Sequence, residues 1–501
     1  MAGKPGLLNR LLGRVGLGRP ASPRAYAAGR PSHRTRNWRA DQSGPNAAIG
    51  PALAMLRARS RQMVRDNPYA ARAVTIVAQH QIGYGITARW KDPVVQALWD
   101  EWCKRCDLNG MLDFNGQQYL AARTRSEGGE ALVRLVPLTA GEMRRRGLKV
   151  PLQLELLEGD FLPEDSSTLL EGRTPAANRV VQGVEFNSAG QRVRYWMRRE
   201  HPGELNGFLT SGDDLQGIPA DQILHIYRMQ RPGQVRGVPD AASALLRLRQ
   251  FDDYSDTAVQ QAITQTMMGV FFTSNIDPEA AGSVPGEEGA ADIPSFDLVP
   301  GMTMALPPGT EPKFLQPTGA GSFEPFAMHA LMAIAVGWGV TYDQLTGDLR
   351  NANFSSLRAG KIEFRRLIET DQWQVFIPRL CQPVADAFLR AAIAAGALEQ
   401  GEYPVEWGPP RMEMTNPGEE VPMLRDMVRS GLMSWPQAVS ELGFDPERML
   451  KEIQDWNAKL DAAGIILDSD PRRTTLSGGA QDPKQNAAVQ LGANGRPAPA
   501  N

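Results

Sequence analysis

Three aspartates on one predicted helix, Asp252, Asp253 and Asp256, are the residues whose type and spacing most directly suggest chemistry. Paired carboxylates hold divalent ions that activate water, so the trio raises a metal-dependent nuclease or another DNA-processing enzyme, with cleavage dependent on magnesium. On a helix Asp252 and Asp256 share a face, but no second acidic cluster at a strand end completes a site. A solvated or channel-facing helix surface is the plainer reading.

Cys103 and Cys106 form a CxxC, which raises redox or zinc chemistry. Structural zinc takes four ligands, yet only Cys381 remains as a third cysteine, and His33, His80, His201, His225 and His329 are scattered. A redox CxxC sits where a strand gives way to a helix start, whereas these two cysteines fall near a helix end, as partly buried helix residues. Gly83-Tyr84-Gly85 lacks the Lys-Ser/Thr of a phosphate loop. No G-x-x-x-x-G-K-[ST], G-x-S-x-G or H-E-x-x-H occurs in the chain. The motifs point to no catalytic residue, cofactor or metal.

Bulk properties narrow the alternatives. The 501 residues suffice for two to four packed units of ~150 residues each, and 42% hydrophobic residues suffice for real cores. Lys+Arg 54 against Asp+Glu 56 leaves a net charge of -2, so any contact with nucleic acid must be local rather than a property of the whole chain. Three cysteines fit a reducing compartment. No apolar stretch reaches the ~18 to 20 residues of a membrane span, and the longest, around 326 to 340, carries His329. A soluble chain without a membrane partner is expected.

The elements that would position these residues follow from periodicity and punctuation. Residues 1 to 39 contain nine Lys or Arg and no acidic residue, too little apolar material to fold alone; Arg10 and Arg14 break the only patch resembling an export signal. Residues 46 to 82 predict two helices divided at Asn67-Pro68, then a strand in "IGYGITARW" and a helix over 93 to 108. Residues 117 to 230 predict one helix among short strands, with alternation at Val184, Phe186, Val193, Tyr195 and Met197 and a turn at Asn187 to Gly190. This is an α+β unit. One helix is expected over 239 to 268, small Pro-punctuated strands to 320, and a returning helix over 323 to 338. A helix beginning after a Ser356 N-cap is expected to run to about 395, kinked at Pro378 and Pro383. Short helices starting at Pro422, Ser434 and Asp445-Pro446 precede a tail without aromatic residues, expected to be disordered.

"GDLRNANFSS", residues 347 to 356, interrupts two good helix candidates with amides, hydroxyls, an Asp and an Arg. Such short polar side chains compete for backbone hydrogen bonds and resist helix and strand alike.

This stretch with the helix after it, "GDLRNANFSSLRAGKIEFRRLIETDQWQVFIPRL", and "SGPNAAIGPALAMLRARSRQMVRDNPYAARAVTIVAQHQIGYGI" near the start resemble the lambda-like family of tailed-bacteriophage portal proteins, over about residues 36 to 460. The resemblance implies an α+β portal fold assembled as a ring, usually of twelve copies. Its expected parts are a basic leader at 1–39, an α/β wing at 40–236, a first stem helix at 237–268, a small β-rich clip at 269–320 and a second stem helix at 321–343. They continue with a tunnel loop at 344–356, a long kinked helix and return to the wing at 357–416, a helical crown at 417–465 and a tail at 466–501. The implied role is a channel at one capsid vertex through which double-stranded DNA is packaged and ejected. The implied partners are further copies of itself, DNA held transiently and without sequence preference, the terminase large subunit, capsid and scaffold proteins, and head-tail completion proteins. The implied location is the virion, after synthesis in the bacterial host cytoplasm. On this model Asp348, Arg350, Asn351, Asn353, Phe354, Ser355, Ser356 and Arg358 face the DNA, with Arg350 and Arg358 offering transient phosphate contacts. A strongly basic bore would stall the duplex, because affinity climbs steeply with each phosphate neutralised.

Overall fold

The computed structural model describes residues 36–164, 177–204, 215–266, 270–274, 310–314, 323–350, 354–410 and 417–465 apart from 443 and 445, with a few isolated positions besides. Most of the expected leader, clip and tail, together with Asn351 and Asn353, lies outside them.

Two helices open the described chain, α1 (Pro45–Asp66) and α2 (Pro68–Ile82). Asn67 closes the first and starts the second: its side-chain oxygen accepts from the Tyr69 and Ala70 amides, and Pro68 sits in the first turn, where no N–H is needed. After β1 (Thr87–Trp90), α3 (Pro93–Cys103) stops at Cys103 rather than 108. The chain turns there to lay Asp107 beside Leu154, whose N–H donates to the Cys106 carbonyl at 2.7 Å. Cys106 is therefore a buried residue beyond the helix, not within it.

Asp113 caps α4 (Phe114–Gly128), which leads into β2 (Glu130–Pro137), the short α5 (Ala140–Arg146) and β3 (Leu152–Glu158). The next strands, β4 (Arg179–Val181), β5 (Val184–Phe186), β6 (Arg192–Arg198) and β7 (Leu215–Pro219), pair in that order as one antiparallel sheet. Then β8 (Ile223–Tyr227) returns to β2, making a second sheet in the order β3, β2, β8. The four-stranded sheet contributes to two separate apolar clusters. Val184, Tyr195 and Met197 enter one cluster, while Trp196 and Leu215 form another, with Trp196 donating to the buried Glu185 carboxylate at 2.9 Å. Val193 breaks the predicted alternation by facing outward.

The expected helix over 239 to 268 divides into a 3₁₀ turn at Asp240–Ser243 and α6 (Leu245–Thr266), about 33 Å long at 1.5 Å per residue. The turn aims Asp240 at Arg125 and Arg228. Strands β9 (Val270–Ser274) and β10 (Thr310–Phe314) pair antiparallel, and α7 (Phe323–Trp338) packs back along α6. Tyr254 stacks on Phe323 at one end of this pair, and Gly337 meets Ala244 at the other, so the two helices run antiparallel.

After α8 (Tyr342–Thr346) comes α9 (Phe354–Asp371), a π-helical stretch Gln372–Cys381 and α10 (Gln382–Ala394) in one unbroken run. The wider winding carries Pro378, which has no N–H to donate, without ending the helix. The next strand, β11 (Val405–Gly408), pairs with β1, Thr87 opposite Gly408, and so closes the chain onto its beginning. Last come α11 (Pro417–Arg429), α12 (Trp435–Glu441) and α13 (Pro446–Ala463). Helix α11 begins at Pro417 rather than at Pro422, since Pro417 takes the first turn and Pro422 is accommodated inside.

Two main cores result. One gathers Trp99, Trp102, Phe114 and Phe388, with the Trp99 and Phe388 rings 5.0 Å apart. The other joins α2 to α6, α7 and α9 through Val74, Val77, Leu248, Ile334, Phe364 and Ile368. No described helix is long and apolar enough to cross a membrane.

Candidate nucleic-acid interface

The connection between α7 and α9 is more built than its polar composition predicts. Thr341 caps α8 through a capping box: its hydroxyl accepts from the Gln344 amide at 3.4 Å, and the Gln344 side chain accepts from the Thr341 amide at 3.0 Å. Gly347, at φ +73°, closes the helix in the left-handed conformation that glycine adopts without strain. Arg72 on α2 donates to the Gln344 carbonyl at 2.6 Å, anchoring α8 to the opening helices. The segment between the two flanking helices is thus 347–353, not 344–356. Phe354, Ser355 and Ser356 belong to the first turn of α9, which begins two residues before the expected Ser356 cap. Serine is tolerated in a first turn, where backbone N–H groups have no intrahelical acceptor.

Asp348 organises the start of the segment. Its carboxylate accepts from the Arg350 amide at 3.1 Å and from Arg350 Nε and Nη2 at 3.0 and 2.9 Å, with the Tyr342 hydroxyl at 3.4 Å. The hydrogen bonds from Arg350 hold the Asp348 carboxyl down at about 2. Glu324, at the start of α7, lies 3.3 Å from the same guanidinium. Arg350 is nonetheless 72% exposed, while Asp348 is 19% exposed. On α9, Arg358 lies 3.7 Å from Glu419 of α11. Both arginines expected to meet phosphates therefore carry a carboxylate partner already. Such an arrangement permits contact with a polyanion by exchange of partners, and opposes a lasting grip.

The aspartate trio does not converge. Asp252 accepts from Asn67 at 3.1 Å, Asp253 pairs with Arg249 at 2.8 Å, and Asp256 is exposed. Among the described residues, Glu158, Asp160 and His201 do bring potential ligand atoms within 4.8 Å of one another. Arg61 already stands there, 2.8 Å from Glu158 and 2.6 Å from Asp160. Burial pushes the Cys103 and Cys106 thiols up, away from the thiolate that metal or redox chemistry needs.

Two buried ionic assemblies carry no sequence motif. Glu130 at the start of β2 receives Arg236 (2.6 Å), His225 (2.9 Å) and the Gly237 amide (2.9 Å), with Arg57 at 3.7 Å. Asp240 and Asp371 form the second. Arg125 bonds Asp240 at 3.0 Å, Arg228 bonds both aspartates, and Gln81 bonds Asp371 at 2.6 Å. This junction ties the approach to α6 and the end of α9 to α4 and to the residue after β8. Its members lie up to 290 positions apart, as Gln81 and Asp371 do, so no local pattern announces them.

The phage portal protein model of the lambda family matches residues 32–372. Over 481 residues the chain is 25% identical to the probable portal protein of Halomonas phage phiHAP-1, covering 89% of this chain and 88% of that one. Over 377 residues it is 23% identical to portal protein B of Escherichia phage lambda, covering 66% and 67%. Among solved structures, a chain from the neck of the native gene transfer agent particle aligns with a TM-score of 0.46 at 15% identity, over 78% of this chain and 93% of that one. The chain belongs to the lambda family of phage portal proteins. Its role is the one general to portals, the channel at a capsid vertex through which double-stranded DNA is packaged and ejected.

Proposed function

We propose that segment 347–353, with the first turn of α9 and Arg358, is the part of the portal channel that meets the moving duplex. The observation that carries this reading is the pairing of exposed Arg350, in the segment between α8 and α9, with Asp348 and with Glu324 at the start of α7. Phosphates passing such a surface exchange with carboxylates for the guanidinium, so each contact is weak and replaceable. A collar of this kind guides DNA without reading bases, since phosphate contacts carry no sequence information.

In this reading residues 40–236 form the wing, α6 and α7 the stem, 269–320 the clip and 417–465 the crown. Twelve copies make the ring. The clip docks the terminase large subunit during packaging, head-tail completion proteins replace it afterwards, and capsid and scaffold proteins surround the wing. The protein does no chemistry of its own and is made in the host cytoplasm before joining the virion. The spread of Asp252, Asp253 and Asp256 onto separate partners supports the non-enzymatic reading.

Deleting 348–354 tests the collar. Rings should still form by electron microscopy and native mass, while DNA packaging or retention falls. Unchanged infectious yield would sink the assignment. Exchanging residues 269–320 with those of another family member should alter the choice of terminase and spare ring formation; an unaltered choice would move the docking site elsewhere.

A further inference from the structure

A cleft of about 610 Å³ opens where β6, β8 and the π-helical stretch meet, outside the proposed collar. Arg192, Arg379, Tyr195, Tyr227 and His225 supply its polar wall, and Ala220, Ile223, Leu224 and Met229 its apolar wall. The guanidiniums of Arg192 and Arg379 both lie over the Tyr227 ring, 5.7 and 4.7 Å from its centroid. Arg192 donates to the Tyr195 and Tyr227 hydroxyls at 2.8 and 2.7 Å; Arg379 donates to the Tyr227 carbonyl at 3.0 Å.

Neither arginine has a carboxylate within 4.0 Å among the described residues, although most arginines in the buried assemblies nearby do. Asp221 also lines the cleft without pairing to either. Two cations gathered around one aromatic ring repel each other, and neutral oxygens offset that repulsion incompletely. An incoming carboxylate relieves it and finds donors already oriented by the tyrosines, the preorganisation that favours guanidinium recognition of oxyanions.

We propose that this cleft is a receptor for an acidic peptide segment of a partner protein, with one Asp or Glu carboxylate seated between Arg192 and Arg379 and an adjacent apolar side chain against Ile223 and Met229. Charge complementarity selects the carboxylate. The apolar wall and a volume well beyond that of an isolated oxyanion select a peptide over a free phosphate. The inference is independent of the collar, whose residues it does not use.

The full-length protein is tested against an array of terminally blocked hexapeptides with Asp or Glu at the centre and Ala, Val, Leu or Phe on either side, with fluorescence anisotropy for the best binders. Saturable binding is expected, weakened about tenfold or more by Arg379→Gln and by the central Asn or Gln counterpart. Met229→Glu introduces a carboxylate from a half-exposed lining position and should block binding without disturbing the tyrosine network; it covers the case in which Arg379→Gln fails to fold. Inorganic phosphate competing as well as the best peptide would overturn the proposal in favour of a simple oxyanion site. Absence of peptide binding, or binding indifferent to Arg379→Gln and Met229→Glu, would overturn it outright.

Discussion

Arg350 and Asp348 meet side by side across two residues of backbone, with Nε and Nη2 of the arginine each donating to a different carboxylate oxygen, at 3.0 and 2.9 Å. The arginine is the most exposed member of the pair, so its charge is visible from solvent yet already answered.

Removing the answering charge should make the channel sticky. Asp348→Asn leaves Arg350 with Glu324 alone, and the rings should retain non-specific duplex DNA more tightly. The slope of log affinity against log salt should steepen by about 0.9 for each phosphate newly neutralised. Filter binding across a salt series measures this, and an unchanged slope would place Arg350 away from the DNA.

The Glu130 assembly should behave differently because it is buried. Arg236→Met deprives Glu130 of its closest partner, and breaking a buried pair on one side costs about 3–5 kcal/mol. Urea unfolding of the variant should show that loss. A change within about 0.5 kcal/mol would mean that Arg57 and His225 suffice to hold the carboxylate.

Acid should loosen the same region. Burial pushes His225 down to about 4, against the pull of Glu130, while an unfolded histidine titrates near 6.5. The unfolded chain therefore takes the proton first, and the stability contributed by neutral His225 is complete above about 6.5 and lost as pH falls towards 4. Burial alone would raise Glu130, but Arg236 and His225 outweigh it and hold it well below its ordinary range. That adds a second loss below about 4.5. Urea midpoints should decline steadily from pH 7 to 5, and His225→Gln should flatten the decline.

The α6 and α7 contact offers a steric test. A Cβ at Gly337 would stand 2.6 Å from the Ala244 Cβ, closer than packed carbons allow. Gly337→Ala should cost about 1–3 kcal/mol as the helices part. Ala244→Gly in the same chain should restore part of the loss in melting temperature. Absence of rescue would locate the strain elsewhere.

What the sequence made legible was local. Asn67-Pro68 marked a helix boundary because an amide cap and a proline in the first turn act within three residues. Ser434 before Trp435-Pro436 marked another for the same reason. The T-x-x-E of Thr139 and Glu142 was equally local, and the capping box it forms would have revealed α5. Strand β11 was not legible, since four residues with two charged or amphipathic side chains declare themselves only by pairing with Thr87–Trp90 at the other end of the chain. The candidate interface was half legible. Its polar composition stood out, but the capture of Arg350 by Asp348 and Glu324 depends on side-chain geometry, and the Glu324 contact spans 26 positions (350 − 324).

The π-helical stretch Gln372–Cys381 has a further consequence. A wider turn shifts the phase of everything after it, so the apolar stripe of α9 and that of α10 need not point the same way. Phe364 and Ile368 serve the core shared with α6 and α7; Val384 and Phe388 serve the core around Trp99. One continuous rod therefore acts as a crankshaft with two offset throws. Losing a single residue between them would rotate one throw by about 100° against the other, leaving each stripe intact and one of the two cores without its key.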